Sequence, residues 1–342
     1  MTIEQLIVNY LIAINVITFF LYGIDKWKAK RSKWRIPEAT LLGLSVIGGS
    51  IGAWLGMKVG HHKTLHKKFR FGVPAIIIIQ LANYQLFHIV PEMKLTYIFH
   101  SGFVLETEQS ILVFDYWLDP SGVIDGVLRS DKSLYVFSSH FHEDHFNRGI
   151  FEWKKQKPNI TFILSKDILR HGRANKEEAD VWLSKGGSWF DDRISVKALG
   201  STDSGVSWII ETEGKRFFHA GDLNNWYARF LPNTVPGQTI YSKEFEKDID
   251  PVAHEKQYLG ELKDIRKVAD GFDLVMFPID GRIGNGYTLG GRQFIERFKV
   301  GLFVPMHFVA SGFESSWRMK EFTDEKNIPF WEVNKEGETI EI

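Results

Sequence analysis

The chain has 342 residues, equal numbers of acidic and basic side chains, and no cysteine. That length suits about two domains, and the lack of cysteine excludes disulfides and thiolate metal sites, so any metal must sit on His, Asp or Glu. Charge is uneven: residues 1–92 carry a net +7 and the remainder −7, which excludes a global basic footprint for nucleic acid, and none is expected as a partner.

The first apolar block, Leu6 to Tyr22, is interrupted only by Asn9, Asn15 and Thr18. It is just long enough to cross a hydrocarbon core of about 30 Å. Glu4 precedes it and no small-residue cleavage site follows, which argues against a secretory signal. A glycine-rich block runs from Ala39 to Met57 and a third from Val73 to Ile89. Gly48, Gly52 and Gly56 stand four apart, a spacing that lets helix backbones approach closely.

Between the blocks lie two basic loops, Lys26 to Arg35 and Lys58 to Arg70, with six and five basic residues. Three full crossings would put these loops on opposite faces, against the tendency of basic loops to stay cytoplasmic. Either one loop is translocated, or the glycine-rich block is re-entrant and both loops share a face. Both loops suit anionic lipid headgroups, which makes membrane lipids the expected partner. The working expectation is a plasma-membrane protein whose C-terminal part is cytoplasmic. His62 and His66 are spaced i, i+4, but the neighbouring lysines argue against a metal there.

Tyr22-Gly-Ile-Asp-Lys26, Arg35-Ile-Pro-Glu38, the run from Gly48 to Met57 and His62-Lys63-Thr64 resemble a small bacterial membrane family of unknown function. The resemblance covers roughly residues 5–90. It implies a helical membrane segment and no activity.

From residue 93 the pattern changes to short apolar runs separated by turns, which predicts strands at 95–99, 103–106, 111–114, 134–139, 160–164, 206–211, 216–219, 274–278 and 302–305. Helical patterns at 251–268 and 291–298 suit helices packed on sheets. The boundary is therefore placed between a membrane domain, 1–92, and a second domain, 93–342.

After the strand ending at Ser139 comes His140-Phe-His142-Glu-Asp144-His145. Three imidazoles and a carboxylate within six residues are the ligands a borderline divalent ion takes. Two later strand ends add partners in chain order: Asp222 in His219-Ala-Gly-Asp222, and His307 in Pro305-Met-His307. Asn224, Asn225 and Trp226 follow Asp222 and are candidates to line a cleft, and Asp280 and Arg282 are candidates to orient a polar substrate.

Together these motifs resemble the metallo-β-lactamase-fold hydrolases. The opening Phe99-His100-Ser-Gly-Phe103 is similar to their ascorbate-phosphate-lactonase-like branch. The resemblance implies an α/β fold, an αββα sandwich, over residues 94–342. It also implies a metal site of His140, His142, Asp144, His145, bridging Asp222 and late His307.

One departure stands out. The family's further histidine would fall near Leu199 to Gly205, where none occurs, and His171 lies too far upstream. Asp203 and His100 are the candidate substitutes; otherwise one ion is held tightly and a second weakly.

The expected cofactor is one or two divalent ions, zinc first, with manganese or iron as alternatives. Such an ion brings a bound water to a pKa near 7, and Asp144 is placed to carry its proton. The expected function is hydrolysis of a phosphodiester, lactone or related ester or amide on a small-molecule or lipid-like substrate. The alternative is a non-catalytic, membrane-tethered metal or ligand sensor, motivated by the missing histidine.

Overall fold

The computed structural model describes residues 3–87, 93–228 and 249–342. The end of the third apolar block and the Pro91-Glu92 boundary lie outside the described residues. The chain divides into two compact units, Met1–Val90 and Pro91–Ile342.

In the first unit, α1 (Ile3–Lys30), α2 (Glu38–Leu44), α3 (Ser50–Gly60) and α4 (Lys67–Phe87) are helical. By length and composition, Val8–Lys30 and Glu38–Gly60 are each apolar enough to cross a membrane. The second stretch does not run straight. Between α2 and α3, Ile47 and Gly48 leave helical geometry, with Gly48 at φ 114°, a region that only glycine enters without strain.

The chain reverses there. α2 descends along α1, with the Tyr22 hydroxyl 3.5 Å from the Leu41 carbonyl, and the Tyr10 hydroxyl reaches the Ile47 carbonyl at the bend. α3 then climbs back beside α1. A Cβ on Gly52 would stand 2.0 Å from the Asn15 carbonyl oxygen, and one on Gly56 would stand 2.8 Å from the Tyr22 Cβ. The glycine spacing is thus an α1–α3 contact, and the glycine-rich block is a helical hairpin.

This geometry predicts that Gly52→Ala forces the helices apart. Overpacking of this kind costs about 1–3 kcal/mol. The cost is expected as a lower thermal midpoint of the N-terminal unit in detergent, while Gly72→Ala, where nothing lies within 4 Å, leaves that midpoint in place.

The hairpin brings both basic loops to one end, where the motif residues tie them together. The fully buried Asp25 carboxylate meets His62 Nε2 at 2.7 Å and the Ile36 backbone N–H at 2.8 Å. Lys63 bonds to Glu38 at 3.0 Å, and Lys26 to the His61 carbonyl at 3.2 Å. His62 is therefore a partner of Asp25. His66 lies 3.6 Å from Glu38.

The second unit is a sandwich of two sheets. The first has the order β13-β1-β2-β3-β4-β5-β6, the second β12-β11-β10-β9-β8-β7. The strands are β1 (Lys94–Phe99), β2 (Gly102–Glu106), β3 (Ser110–Phe114), β4 (Ser133–Ser138), β5 (Ile160–Ser165), β6 (Val181–Leu183), β7 (Ser188–Phe190), β8 (Ile194–Leu199), β9 (Ser207–Thr212), β10 (Lys215–His219), β11 (Gly271–Pro278), β12 (Lys299–Met306) and β13 (Thr339–Glu341). All nine sequence-predicted strands appear within a few residues of their expected bounds. β6, β7, β8 and β13 are additional.

Leu95, Tyr97, Phe103, Phe137, Trp208, Phe217 and Leu274 fill the space between the sheets. On the outer face of the second sheet lie α7 (Pro251–Arg266) and α8 (Leu289–Ile295), seated through Tyr258, Leu262 and Phe294. On the outer face of the first lie α5 (Val123–Arg129) and α6 (Lys166–Arg170), seated through Ile124, Leu128 and Ile168.

β3 and β4 run parallel, as do β10, β11 and β12. β1 points the same way as β3, because each pairs antiparallel with β2. Strand C-termini of both sheets therefore collect at one edge, where rigid scaffold can aim side chains into a shared cleft.

Candidate metal centre

Every candidate ligand sits at or just beyond such a strand end. Two groups form among the described residues, each with ligand atoms within 4.8 Å of one another. The first is His140, His142, Asp203 and Asp222; the second is His100, Asp144, His145 and His307. The structure thus brings together all six residues expected from the motif, and both candidate substitutes join them.

Asp222 lies between the groups. Its Oδ2 is 3.3 Å from His140 Nε2, while its Oδ1 is 3.1 Å from His145 Nε2 and 3.4 Å from His307 Nε2. His142 Nδ1 faces Asp203 Oδ2 at 3.5 Å, and His100 Nε2 faces Asp144 Oδ2 at 3.2 Å.

Residues behind the imidazoles fix which nitrogen carries the proton. His145 Nδ1–H donates to Asp115 at 2.6 Å, and His307 Nδ1–H donates to Asp280 at 3.0 Å. Ser139 gives its hydroxyl proton to Asp115, so it accepts from His140 Nδ1–H at 3.0 Å. In all three rings Nδ1 faces the scaffold and Nε2 faces the cleft, the orientation that carboxylate–histidine pairs give to metal ligands.

The site fits divalent ions on several grounds. His100 Nε2, His145 Nε2 and Asp222 Oδ1 are buried without a hydrogen-bond partner, and each such group costs about 1–3 kcal/mol if left unpaired. His145 Nε2 and Asp222 Oδ1 are close yet misaligned for hydrogen bonding, so both point at a third position. Desolvation, and then the Asp222 charge, push the Asp203 carboxyl above its usual range, a repulsion that a cation would relieve. Burial and the neighbouring His307 hold the His100 imidazole down at about 4, neutral and ready to ligate at pH 7.

Three non-glycine residues here adopt left-handed backbone: His100 (φ 57°), Asp115 (φ 40°) and His307 (φ 65°). Such geometry costs of order 1 kcal/mol each and persists where surrounding structure enforces it. The His307 N–H, bonded to the His100 carbonyl at 3.0 Å, joins the two sheets at this edge.

Some expected roles change. Asn224 is buried, not cleft-facing: its side chain accepts from Asn225 N–H and donates to the Pro278 carbonyl, locking the turn after Asp222. Asn225 is likewise buried and faces Glu255 and Gln293. Of the three only Trp226 lines the cleft, anchored by its indole N–H on the Asp222 carbonyl. Asp280 does border the cleft, but its carboxylate is committed to His307 and to a two-oxygen pairing with Arg282. His171 stacks on Phe141 and joins neither ligand group.

Asp115 escaped the sequence reading. Its only signal was a lone carboxylate at the end of the apolar strand β3.

The cleft above the ligands, about 430 Å³, is lined further by Thr202, Tyr227, His254 and Ile283.

Residues 15–69 match a family described as a protein of unknown function, DUF1294. The N-terminal part is 44% identical over 76 residues to the uncharacterized protein YsdA of Bacillus subtilis, covering 22% of this chain and 85% of that protein. The C-terminal part is 25% identical over 227 residues to a UPF0173 metal-dependent hydrolase of Korarchaeum cryptofilum, covering 63% of this chain and 83% of that protein. In fold it is similar to Igni18, a metallo hydrolase of Ignicoccus hospitalis, with 18% identity, a TM-score of 0.51, and coverage of 73% and 98% of the two chains. It is also similar to a Bacillus subtilis metallo-beta-lactamase fold protein, YhfI, at 13% identity and a TM-score of 0.48, covering 74% and 100%.

The chain joins a unit that matches DUF1294 to a domain of metallo-β-lactamase fold.

In this domain Asp203 stands where the motif lacks its histidine. The first group is thereby richer in carboxylate than the second, which has three imidazoles. Asp203→Ala is expected to remove about one ion per chain while the second is retained. Asp203→His is expected to rebind two, with weaker preference for manganese over zinc, because imidazole favours zinc and carboxylate favours manganese. Elemental analysis after dialysis reads both outcomes.

Proposed function

We propose that the chain is a membrane-anchored hydrolase that cleaves a phosphodiester, lactone or related ester with two divalent ions. The observation that carries this reading is the pair of ligand groups sharing Asp222 at the floor of an open cleft.

His140, His142, Asp203 and Asp222 would hold one ion, and His145, His307, Asp144 and His100, with Asp222, the other. Zinc is the proposed ion, with manganese or iron as alternatives in the carboxylate-rich first group. When bound, such ions make water acidic enough to supply a nucleophile at neutral pH and polarise the bond under attack.

The chain's own residues do the rest. Asp115, Asp280 and Ser139 keep the imidazoles in one tautomer. Asp144, with a side chain 30% exposed, reaches the cleft and is placed to pass a proton to the leaving group. Trp226, its ring 5.2 Å from that of His307, walls one side of the substrate space.

Asp203 supports catalysis over the sensor reading, because it supplies the donor whose absence motivated a sensor. Membrane anchoring is supported by the surface of the DUF1294 unit. Of the 26 large apolar side chains exposed among the described residues, 22 belong to it, from Leu6 to Leu81. Apolar surface on that scale needs a covering.

The test is a screen of the full chain in detergent against bis-nitrophenyl phosphate and simple lactones with zinc, manganese or iron. Turnover that chelation and Asp144→Ala both abolish supports the proposal. Silence with every metal, alongside full metal loading, would favour the sensor.

A further inference from the structure

The helical hairpin has consequences for which side of the membrane the hydrolase domain occupies. At 1.5 Å per residue the uncharged stretch 5–24 of α1 is about 30 Å long and the uncharged stretch 71–87 of α4 about 25 Å, both within the roughly 17–25 residues that traverse a core of about 30 Å. The hairpin is too shallow for that. Its tip, Gly48, packs on Leu11 and Ile14, while its open end is tied to Asp25. Along α1 that is a depth of about 20 Å.

Inside a hydrocarbon core a broken helix survives only where protein satisfies the freed backbone groups. The polar side chains of the apolar blocks do this. Tyr10 donates to the Ile47 carbonyl and Asn15 to the Gly48 carbonyl, while Asn15 Oδ1 accepts from the Gly52 N–H. Gln80, from α4, donates to the Ser45 and Val46 carbonyls and accepts from the Ser50 hydroxyl. α4 starts at the tied end, where Phe69 packs on Tyr22, passes the tip at Gln80 and continues to Phe87.

All eleven Lys and Arg residues of the first 92 lie between Lys26 and Arg70, in or beside the two loops that the hairpin brings together. The stretches that run beyond the tip, 1–25 and 71–92, contain none. That asymmetry assigns the tied end to the cytoplasm. Five residues separate Phe87 from Met93 and span at most about 20 Å, too little to recross the core.

We propose that the DUF1294 unit crosses the membrane twice, through α1 and α4, around a hairpin that enters and leaves by the cytoplasmic face, so that the hydrolase domain faces the outside. This rests on the membrane-anchored reading and reverses the cytoplasmic placement expected from sequence. The substrate is then an ester of the outer membrane surface or of the extracytoplasmic space.

The chain has no cysteine, so single-cysteine variants of the full protein report topology directly. Trp34→Cys and Leu65→Cys probe the two basic loops, where these side chains are 91% and 88% exposed. Glu177→Cys probes an exposed turn of the hydrolase domain.

In intact spheroplasts a membrane-impermeant maleimide is expected to label Glu177→Cys at least tenfold faster than the other two, which react only after lysis. Alkaline phosphatase fused after Ile342 is expected to be active. Loop cysteines labelled from opposite faces would overturn the hairpin, and Glu177→Cys protected together with both loops would overturn the outward placement. Release of the wild-type chain from membranes by alkaline carbonate would instead defeat the anchoring reading itself.

Discussion

Asp222→Asn is expected to lower the bound metal from about two ions per chain to one or fewer, and hydrolysis on the order of 10³-fold, the scale of a lost preorganised electrostatic group. The Asp222 carboxylate spans both ligand groups: one oxygen faces His140 and the other faces His145 and His307. Burial alone would raise this carboxyl, but His145, His307 and His140 hold it well below the usual range, so it is ionised at neutral pH. Asparagine keeps the shape and removes the charge.

The measurement is elemental analysis after dialysis, paired with the rate on whichever screened substrate turns over. Two retained ions and an unchanged rate would show that Asp222 is not the shared ligand. Loss of folding is a separate outcome, read by the thermal midpoint of the metal-free protein.

How far this centre was legible in the sequence depends on which physical signal each part leaves. β3, β4 and β12 carry apolar runs up to polar turns, and β10 ends in Phe217-Phe218 before a glycine turn, so their C-terminal ends were visible, and with them His140, Asp222 and His307. β6 and β7 are three residues each, too short for any periodicity to register.

Asp203 was a reasonable substitute only because a histidine was missing nearby. Its distance to His142 comes from the pairing of β8 with β9, which fixes where the loop between them returns. Asn224 lies two residues after Asp222, yet adjacency in sequence to a ligand says nothing about direction, while Asp280 reaches the cleft from a turn with no such neighbour. The Asn224 side chain turns to the Pro278 carbonyl, and the Asp280 carboxylate faces His307.

The glycine-rich block shows the same limit in the other unit. Its composition is that of a crossing helix. Only the contacts of Gly48, Gly52 and Gly56 with α1 reveal that it turns back.

Asp115→Asn carries the second large effect, through a residue that touches no proposed ion. Asp115 is fully buried and accepts from the Ser139 N–H at 2.7 Å, the Ser139 hydroxyl at 2.6 Å and His145 Nδ1–H at 2.6 Å. Burial would raise its carboxyl, but His219 and His145 and these hydrogen bonds hold it below the ordinary range. An amide can accept on only one side. The substitution leaves either His145 or Ser139 facing an N–H, and removing one partner of a buried charged pair costs about 3–5 kcal/mol. Loss of such a carboxylate behind a ligating imidazole lowers metal affinity by about 10–100-fold.

The pH dependence separates this role from mere packing. Burial would lower the His145 pKa, but Asp222 and Asp115 raise it well above its ordinary value. In the metal-free wild type the ring therefore holds a second proton more tightly than a free imidazole does, and metal binding expels that proton. Affinity should rise with pH across the neutral range, by up to tenfold per unit for one proton released. In Asp115→Asn one of the two charges holding that proton is gone and the folded pKa falls, so the slope at pH 7 flattens. Calorimetry of zinc binding in two buffers of different ionisation enthalpy counts the proton. An unchanged count in the variant would show that Asp115 shapes the strand end without setting the charge of His145.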